Sequence, residues 1–471
     1  MTVEDAGRAA SGIGKQPRAE TDGGPPHAWW RTTVISLALL LEGMSSSSIN
    51  VQVAEIAAEF RPGPALLSLV VTAFLVGYAG LLPVAGRLGD ARDRRAVFLS
   101  GVALFGAGCT LCALAPGAWV VAAGRFVQGA GAALSAPAAL ALITAGLPAG
   151  ARRNRVVALF GAMGAAGFSL GLVLPGFVVT WLGWRAGFAI LLPVVLLVLA
   201  VCSRLSPAAG KAPQRVDWTG AALLTAALLL AVHAVAGTGG SAAWLVAAEF
   251  AAAGAAGAAL VRRGGIDGFP AAAVRAPRVL ACCVALAAVF AAVLGSMYVI
   301  SLELQLGRSV DPFRVSLLIL PQPVAFSLLS AYGARIVTRL GVGRALAAGM
   351  ALILLALGLL AASDEGVRPA YGVLPAMVLT GAGLALCFPA ATIGAVDAAS
   401  EHCRATVSGV VTTWQNVGGA GGMALLTALA LVPRPGAVGP AGPGMLVAAG
   451  FLLVGGAAAW LVARGRRAVS P

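Results

Sequence analysis

Charged side chains are scarce. Only 11% of the 471 residues are Asp, Glu, Lys or Arg and 59% are hydrophobic, where soluble domains carry roughly a quarter charged and about 45–50% apolar residues. That deficit excludes an ordinary water-soluble globular enzyme. Lysine is nearly absent: Lys15 and Lys211 each follow a glycine but precede Gln16 and Ala212, so no G-x-x-x-x-G-K-[ST] phosphate loop exists to bind ATP. The seven cysteines (Cys109, Cys112, Cys202, Cys282, Cys283, Cys387, Cys403) fall almost entirely inside apolar runs, where Cys behaves as a small hydrophobe. The C-x-x-C pair Cys109/Cys112 lies within the apolar run Val102–Ala115, not beside a strand–helix pattern of thioredoxin type. No His/Cys/acid cluster has metal-ligand spacing and no G-x-S-x-G is visible, so no metal, no cofactor and no enzymatic activity are expected. Residues 1–28 are polar and rich in Gly, Pro and both charge signs; they lack the apolar core of a signal peptide and read as a disordered cytoplasmic tail.

What is abundant is apolar length. Candidate spans fall near 32–54, 66–86, 97–116, 119–141, 156–180, 186–203, 218–236, 244–261, 279–301, 313–334, 344–362, 371–393, 406–431 and 444–463. Fourteen spans of about 20 residues use roughly 280 residues and leave no room for a soluble domain. In lipid every backbone polar group needs an internal partner, and the runs lack the alternation of a barrel, so each span reads as a helix. The basic residues test the count. Alternate loops collect 25 of the 32 on one side, the other side holds six (Arg61, Arg185, Arg308, Arg314, Arg368, Arg434), and Arg125 falls inside a span. Both termini are therefore expected in the cytoplasm. The net charge of +14 follows from this loop bias, and no nucleic-acid partner is expected.

Between spans two and three stands Gly86-Arg87-Leu88-Gly89-Asp90-Ala91-Arg92-Asp93-Arg94-Arg95. It reads as a tight turn in which Gly86 and Gly89 allow close helix approach and Asp90 pairs with Arg94 or a helix end as a gating latch; alternatively, Arg94 and Arg95 only enforce orientation. A second stretch, Ala334–Arg344, follows about 248 residues later, as two parallel halves separated by an extra helix pair would give. In span four, Gly124-Arg125-Phe126-Val127-Gln128-Gly129 places an arginine inside the bilayer, costly enough to be a functional residue by default; pairing with helix carbonyls is the structural alternative. Span five carries Gly161, Gly164, Gly167, Gly171 and Gly176 with Pro175, a ladder suited to bending and to close packing.

Together these motifs resemble the major facilitator superfamily, and within it the 14-span drug:proton antiporters, over about residues 32–463. The loop after span two, the span-four arginine linked to proton transfer, the span-five antiporter motif, Gly183–Phe188 with Pro193, and Asp217-Trp218 all contribute. The chain departs from the family at Asp93, where glycine is usual, at Phe168 and Leu172 in place of prolines, and at Pro175 in place of glycine. Anchored on Asn50-Val51, the first span has Ser45 where the family has aspartate, and carries Glu42 one helical turn earlier on the same face. A carboxyl in the membrane interior favours its neutral form and can carry a proton. Glu42 is thus expected to be the displaced proton and cation site, with Ser45, Ser46 and Gln52 on its polar stripe and Gln128 near Arg125; a Glu satisfied by serines and a neighbouring helix is the alternative.

Other polar residues are secondary. Glu303 is read as cavity-lining or interfacial, and Gln415 and Asn416 as facing the cavity or a helix contact. His233 and Glu249 read as interfacial, and Asp397, His402 and Arg404 as a surface ion-pair cluster.

The resemblance implies an all-α integral membrane protein of major facilitator fold with 14 transmembrane helices. The expected organisation is a tail (1–31), a six-helix bundle (32–203), a linker with inserted helices seven and eight (204–278), a second six-helix bundle (279–463) and a tail (464–471). It further implies alternating access in a bacterial cytoplasmic membrane, with protons exchanged for a small hydrophobic, drug-like substrate by a functional monomer embedded in the lipid bilayer. Two alternatives stand: transport of one dedicated metabolite, siderophore or nutrient, and a non-transporting sensor or scaffold.

Overall fold

The computed structural model describes residues 29–145, 147, 150–204, 217–237, 243–263, 276–362, 369–399, 404–430 and 441–464. Residues 1–28 and 465–471 of the expected tails, His402, and 205–216, 238–242 and 264–275 of the expected linker lie outside them. Among the described residues there are sixteen α-helices and no strand. The first nine are α1 (Trp29–Phe60), α2 (Pro64–Ala91), α3 (Arg94–Ala113), α4 (Ala118–Thr144), α5 (Ala151–Leu182), α6 (Trp184–Ala189), α7 (Leu192–Cys202), α8 (Trp218–Gly237) and α9 (Ala243–Arg262). Then follow α10 (Pro277–Leu302), a π turn (Glu303–Gly307), α11 (Pro312–Ile319), α12 (Pro321–Leu340), α13 (Val342–Ala361), α14 (Pro369–Asp397), α15 (Arg404–Ala430) and α16 (Ala441–Arg464).

Local chemistry explains the ends. Proline opens α2, α10, α11 and α12 in the first turn, where its missing N–H costs nothing. Asp311 caps α11 by accepting from the Arg314 amide at 2.9 Å. Gly183 (φ 78°) and Gly341 (φ 82°) take the left-handed backbone that separates α5 from α6 and α12 from α13. The sixth and tenth expected spans are each broken in two beside a proline, Pro193 and Pro321. Among the described residues, ten helical stretches are long and apolar enough to cross a membrane, and three shorter apolar helices (Trp218–Ala234, Trp244–Leu260, Met445–Trp460) accompany them. Large apolar side chains such as Leu174, Phe177, Trp181, Leu196, Leu328 and Leu453 cover the outside, the surface that lipid rather than water demands.

Two apolar cores form, one mainly from residues 35–232 and one mainly from 279–459. They are built on a single packing plan. The contacts of α1 with α5, α2 with α4, α3 with α4 and α3 with α7 recur as α10 with α15, α12 with α14, α13 with α14 and α13 with α16. Glycines fix the register. A Cβ on Gly108 would lie 2.6 Å from the Gly124 carbonyl, and one on Gly349 2.6 Å from the Gly383 carbonyl. Likewise Gly167 and Gly171 meet the α1 backbone at Leu40 and Met44, as Gly418 and Gly422 meet α10 at Ala287 and Ala291. The cores touch where α2 crosses α15 and α5 meets α11, and α8 lies along the seam against both α2 and α15 with α9 behind it.

This register corrects the expected tight turn at Gly86–Arg95. α2 continues helically through Gly86, Gly89 and Asp90 to Ala91, and only Arg92 and Asp93 turn, with Asp93 capping α3 through the Arg95 amide at 3.0 Å. Pairing Gly77 with Gly333 and Gly108 with Gly349 places Leu340 opposite Val84 and Val342 opposite Gly101. The α2–α3 hairpin thus runs about two turns further than α12–α13 on both arms. Arg95 braces the extension by donating from Nε to the Cys202 carbonyl at 3.1 Å and from its other end to the Ser203 carbonyl, groups that the end of α7 leaves without helical partners.

Candidate functional site

Arg125 is 1% exposed, carried into the first core by α4. Its approach is possible because Gly124 and Gly129 let α4 press against α3 and α2. The guanidinium donates to the Ser45 carbonyl at 2.9 Å, the Ser45 hydroxyl at 2.7 Å and Gln128 Oε1 at 3.2 Å. It also lies 4.8 Å from the Phe74 ring centroid of α2, a cation–π contact that compensates part of the lost hydration. Gln128 Nε2 in turn donates to Cys109 Sγ at 3.0 Å. Arg125, Ser45 and Gln128 therefore form one cluster, which joins Ser45, expected on the Glu42 stripe, to the span-four motif. The six described cysteines are free thiols.

Glu42 sits one turn from Ser45 on α1, yet it forms no ion pair with Arg125. The Tyr78 hydroxyl of α2 lies within hydrogen-bonding reach of its carboxyl. Its Oε2 is shut off from solvent and has no partner. A carboxylate so placed is expensive while charged, so the site can hold a proton or a cation but does not already contain its own counter-ion. Ser46 is half-buried and joins none of these bonds. The glycine ladder of α5 packs against this same stretch of α1: a Cβ on Gly43 would lie 2.5 Å from the Gly164 carbonyl. Gly176, beside Pro175, faces Ser316 of α11, and α5 passes through Pro175 as a single helix.

Further along α1, Gln52 is fully buried and neither of its amide atoms has a protein partner. The Asn50 carbonyl accepts from Gln305 Nε2 at 3.0 Å and from the Ser301 hydroxyl, tying the two cores together. A second tie joins the Phe313 amide to Thr180 Oγ1 at 3.2 Å, with the Phe177 and Phe313 rings edge-on at 5.8 Å. All of these ties lie at the end of the molecule that carries the α1–α2 turn. There Glu59 takes a bidentate ion pair from Arg185 (2.7 and 2.8 Å) and a bond from Trp184 Nε1 at 2.8 Å.

The remaining candidates lie elsewhere. Glu303 occupies the π turn beside Arg308 at 3.6 Å. Asn416 donates to the Thr412 carbonyl at 2.9 Å and, unlike Gln415, lines a cavity of about 90 Å³ between α2, α8 and α15. His233 and Glu249 pair at 2.9 Å across the α8–α9 hairpin, whose base is held by Arg263 and Asp217 at 3.3 Å.

Sequence reasoning missed Tyr78, Phe74, Ser301 and Gln305. A hydroxyl or amide inside an apolar span was the available signal, but nothing in one helix says which neighbour it will face.

The fold has counterparts among known proteins. The Major Facilitator Superfamily profile matches residues 35–423. The chain is 36% identical over 195 residues to EfpA, an uncharacterised MFS-type transporter of Mycobacterium tuberculosis, a match covering 41% of this chain but only 37% of EfpA. It is 30% identical to the lincomycin resistance protein of Streptomyces lincolnensis over 89% of this chain and 88% of that one. The crystal structure of the POT family transporter PepTSo superposes with a TM-score of 0.66 at 14% identity, covering 94% of this chain and 99% of the other. With the profile spanning most of the sequence and the repeated helix packing matching a transporter fold, the chain belongs to the Major Facilitator Superfamily.

Proposed function

We propose that this protein exports hydrophobic, drug-like molecules or antibiotics across the bacterial cytoplasmic membrane by alternating access, driven by proton uptake at Glu42. Supporting the cargo class, the lincomycin resistance protein is a relative along nearly its full length. The working unit is a monomer of 14 transmembrane helices: α6 with α7 and α11 with α12 each make one span. Residues 32–203 and 279–463 form the two six-helix bundles and 204–278 carries the inserted pair. Both termini lie in the cytoplasm, which makes the α1–α2 end external and the conformation described here closed to the outside.

The observation that carries this reading is the Glu42 carboxyl, buried at Oε2, with no cationic partner although Arg125 stands one turn away. In the membrane interior such a group is balanced either by a proton or by a cationic substrate. Competition between the two couples their movements: a proton arriving from outside displaces the substrate, and its loss inside restores the site. Arg125 holds Ser45 and Gln128 in place, so that α1 and α4 move as one body and Glu42 keeps its setting.

The test is accumulation of a panel of hydrophobic cationic dyes and antibiotics in cells expressing the protein or Glu42→Gln, with and without a protonophore. Low accumulation that both the substitution and the protonophore reverse is the expected outcome. Accumulation unchanged across the panel rejects export of this cargo class, and export surviving in Glu42→Gln rejects Glu42 as its proton site.

A further inference from the structure

α1 carries polar residues in a continuous line beyond the Arg125 cluster. From Glu42 they follow at three- and four-residue steps as Ser45, Ser48, Gln52, Glu55 and Glu59, which keeps them on one helix face. Exposure falls from Glu59 inward to Ser45, and Glu42 beyond it is half-buried. Glu59 is exposed, Glu55 half-buried, and Gln52, Ser48 and Ser45 fully buried. The outer end opens into a pocket of about 460 Å³ lined by Glu55, Glu59, Gly183, Trp184 and Arg185. Glu59 is already occupied by its bidentate pair with Arg185, while the Glu55 carboxyl accepts only a backbone N–H, from Trp184.

The repeated packing supplies a control within the same chain. With Leu40 matched to Ala287 and Met44 to Ala291, the counterparts of Glu42, Ser45, Ser48, Gln52 and Glu55 on α10 are Val289, Ala292, Gly295, Val299 and Leu302. All five are buried. This helix position therefore packs well without a single polar side chain, and the polar line on α1 is not a requirement of the fold. Gln52 makes the same point: its buried amide has no protein partner, which costs stability that an apolar side chain of the same volume would not.

We propose that protons reach Glu42 along this face of α1, taken up at the Glu55 carboxyl in the α1–α2-end pocket and relayed by the Gln52 amide. This deepens the proton-coupled reading above and rests on it. The proton bound at Glu55 passes inward through hydrogen-bonded water held by Gln52 and the Ser48 hydroxyl, and the Glu42 carboxylate takes it; Glu55 is left ready for the next. Neighbouring positions stand about 5–6 Å apart, a gap one bridging water spans. The charged and titratable groups facing the line are Arg185 with its Glu59 partner from the α6 side, Tyr78 from α2, Arg125 from α4, and Cys109 and Cys112 of α3 behind Gln128. Arg125, fixed at Ser45, repels a free hydronium there and favours its transfer onward to Glu42. α5 meets this part of α1 through glycines.

The experiment needs no transport substrate. Full-length protein in proteoliposomes is acidified on one face, and rapid-mixing infrared difference spectroscopy follows the carboxyl C=O band that Glu42→Gln identifies by its loss. Gln52→Met, which keeps the volume, and Glu55→Gln are each expected to slow protonation of Glu42 from the α1–α2 face by about tenfold or more, with the final extent unchanged. Gln52→Glu restores the rate. Thermal unfolding separates the role from a structural one, because Gln52→Met removes no protein hydrogen bond and leaves Tm unchanged or higher. Wild-type rates in both variants overturn the route while leaving the Glu42 band, and so the coupling reading, intact. A wild-type rate in Glu55→Gln alone overturns the uptake group. If Glu42→Gln removes no band, the coupling reading fails and the route with it.

Discussion

The two halves of this protein solve the same packing problem with different chemistry. Gly108 and Gly124 bring α3 and α4 into backbone contact, as Gly349 and Gly383 bring α13 and α14. From that shared register each functional side chain finds its counterpart. Arg125 corresponds to Leu384, Gln128 to Cys387 and Cys112 to Ile353, while on the facing helix Glu42 and Ser45 correspond to Val289 and Ala292. Leu384, Cys387 and Ile353 are buried as Arg125 and Gln128 are. Among the described residues, the buried side chains of the second half include serines, Gln322 and Thr380 but no charge. The fold therefore does not call for a buried arginine at this place. Its presence in one half alone makes the first bundle the place to look for the coupling proposed above.

The most severe way to break this asymmetry is to copy it. Leu384→Arg puts a guanidinium where Val289, Ala292 and Cys387 offer neither counter-charge nor the hydroxyl that Ser45 presents to Arg125. An unpaired buried charge costs about 3–5 kcal/mol, so the variant is expected to fail to accumulate in membranes or to lose most of its thermal stability in detergent. Size-exclusion profiles and unfolding curves read this directly. A variant of normal stability would show that the second half harbours a hidden partner for charge.

The converse substitution separates chemistry from stability. Arg125→Leu makes the first half match the second at this position. It removes the guanidinium bonds to Ser45 and Gln128, each about 1.5–3 kcal/mol for a charged donor, but also removes the cost of burying the charge, and apolar replacement of buried charges is often neutral or stabilising. The expected result is a protein whose Tm stays near wild type while proton-coupled transport falls by about tenfold or more. Counterflow of substrate without a proton gradient should be less affected. Equal loss of both activities and of Tm would instead make Arg125 a structural pin.

Much of this was legible in the sequence, but unevenly. Span positions came from apolar length, because a bilayer imposes one length on every crossing. Arg125 and Glu42 stood out because each is a charged residue deep in an apolar run, and Gln128 lies one turn from Arg125; that Ser45 of α1 would meet Arg125 was not legible, because the two are on different helices. The span-five glycines were readable as close-contact residues, though not as contacts to the turn of α1 that bears Glu42. The α2–α3 junction misled. Its glycines, acid and arginines looked like a turn, whereas those residues continue α2 and the turn is Arg92–Asp93. Aligning the two halves on that motif gave one offset of about 248, where packing gives 256 on the first arm and 241 on the second. Sequence similarity averaged over a length difference that only contact geometry separates. Tyr78 was illegible for a related reason: a hydroxyl in an apolar helix acquires meaning only once α1 sets a carboxyl against it.

The smallest expected effect tests what the halves share. Gly108→Ala and Gly349→Ala each place a methyl 2.6 Å from a facing carbonyl, Gly124 and Gly383 respectively, too close for either helix pair to keep its spacing. Overpacking of this kind costs about 1–3 kcal/mol, and the two variants should lose similar stability in thermal unfolding. Transport should not follow suit. Moving α3 off α4 displaces Gln128, whose backbone and side chain also meet the added methyl, and with it the Ser45–Arg125 bonds; moving α13 off α14 disturbs Cys387 and Leu384, which bear no charge and touch neither Arg125 nor Glu42. Matched Tm losses with transport impaired mainly in Gly108→Ala would confirm one scaffold built twice and wired once. Equal transport defects would mean that the apolar half contributes to coupling through its spacing alone.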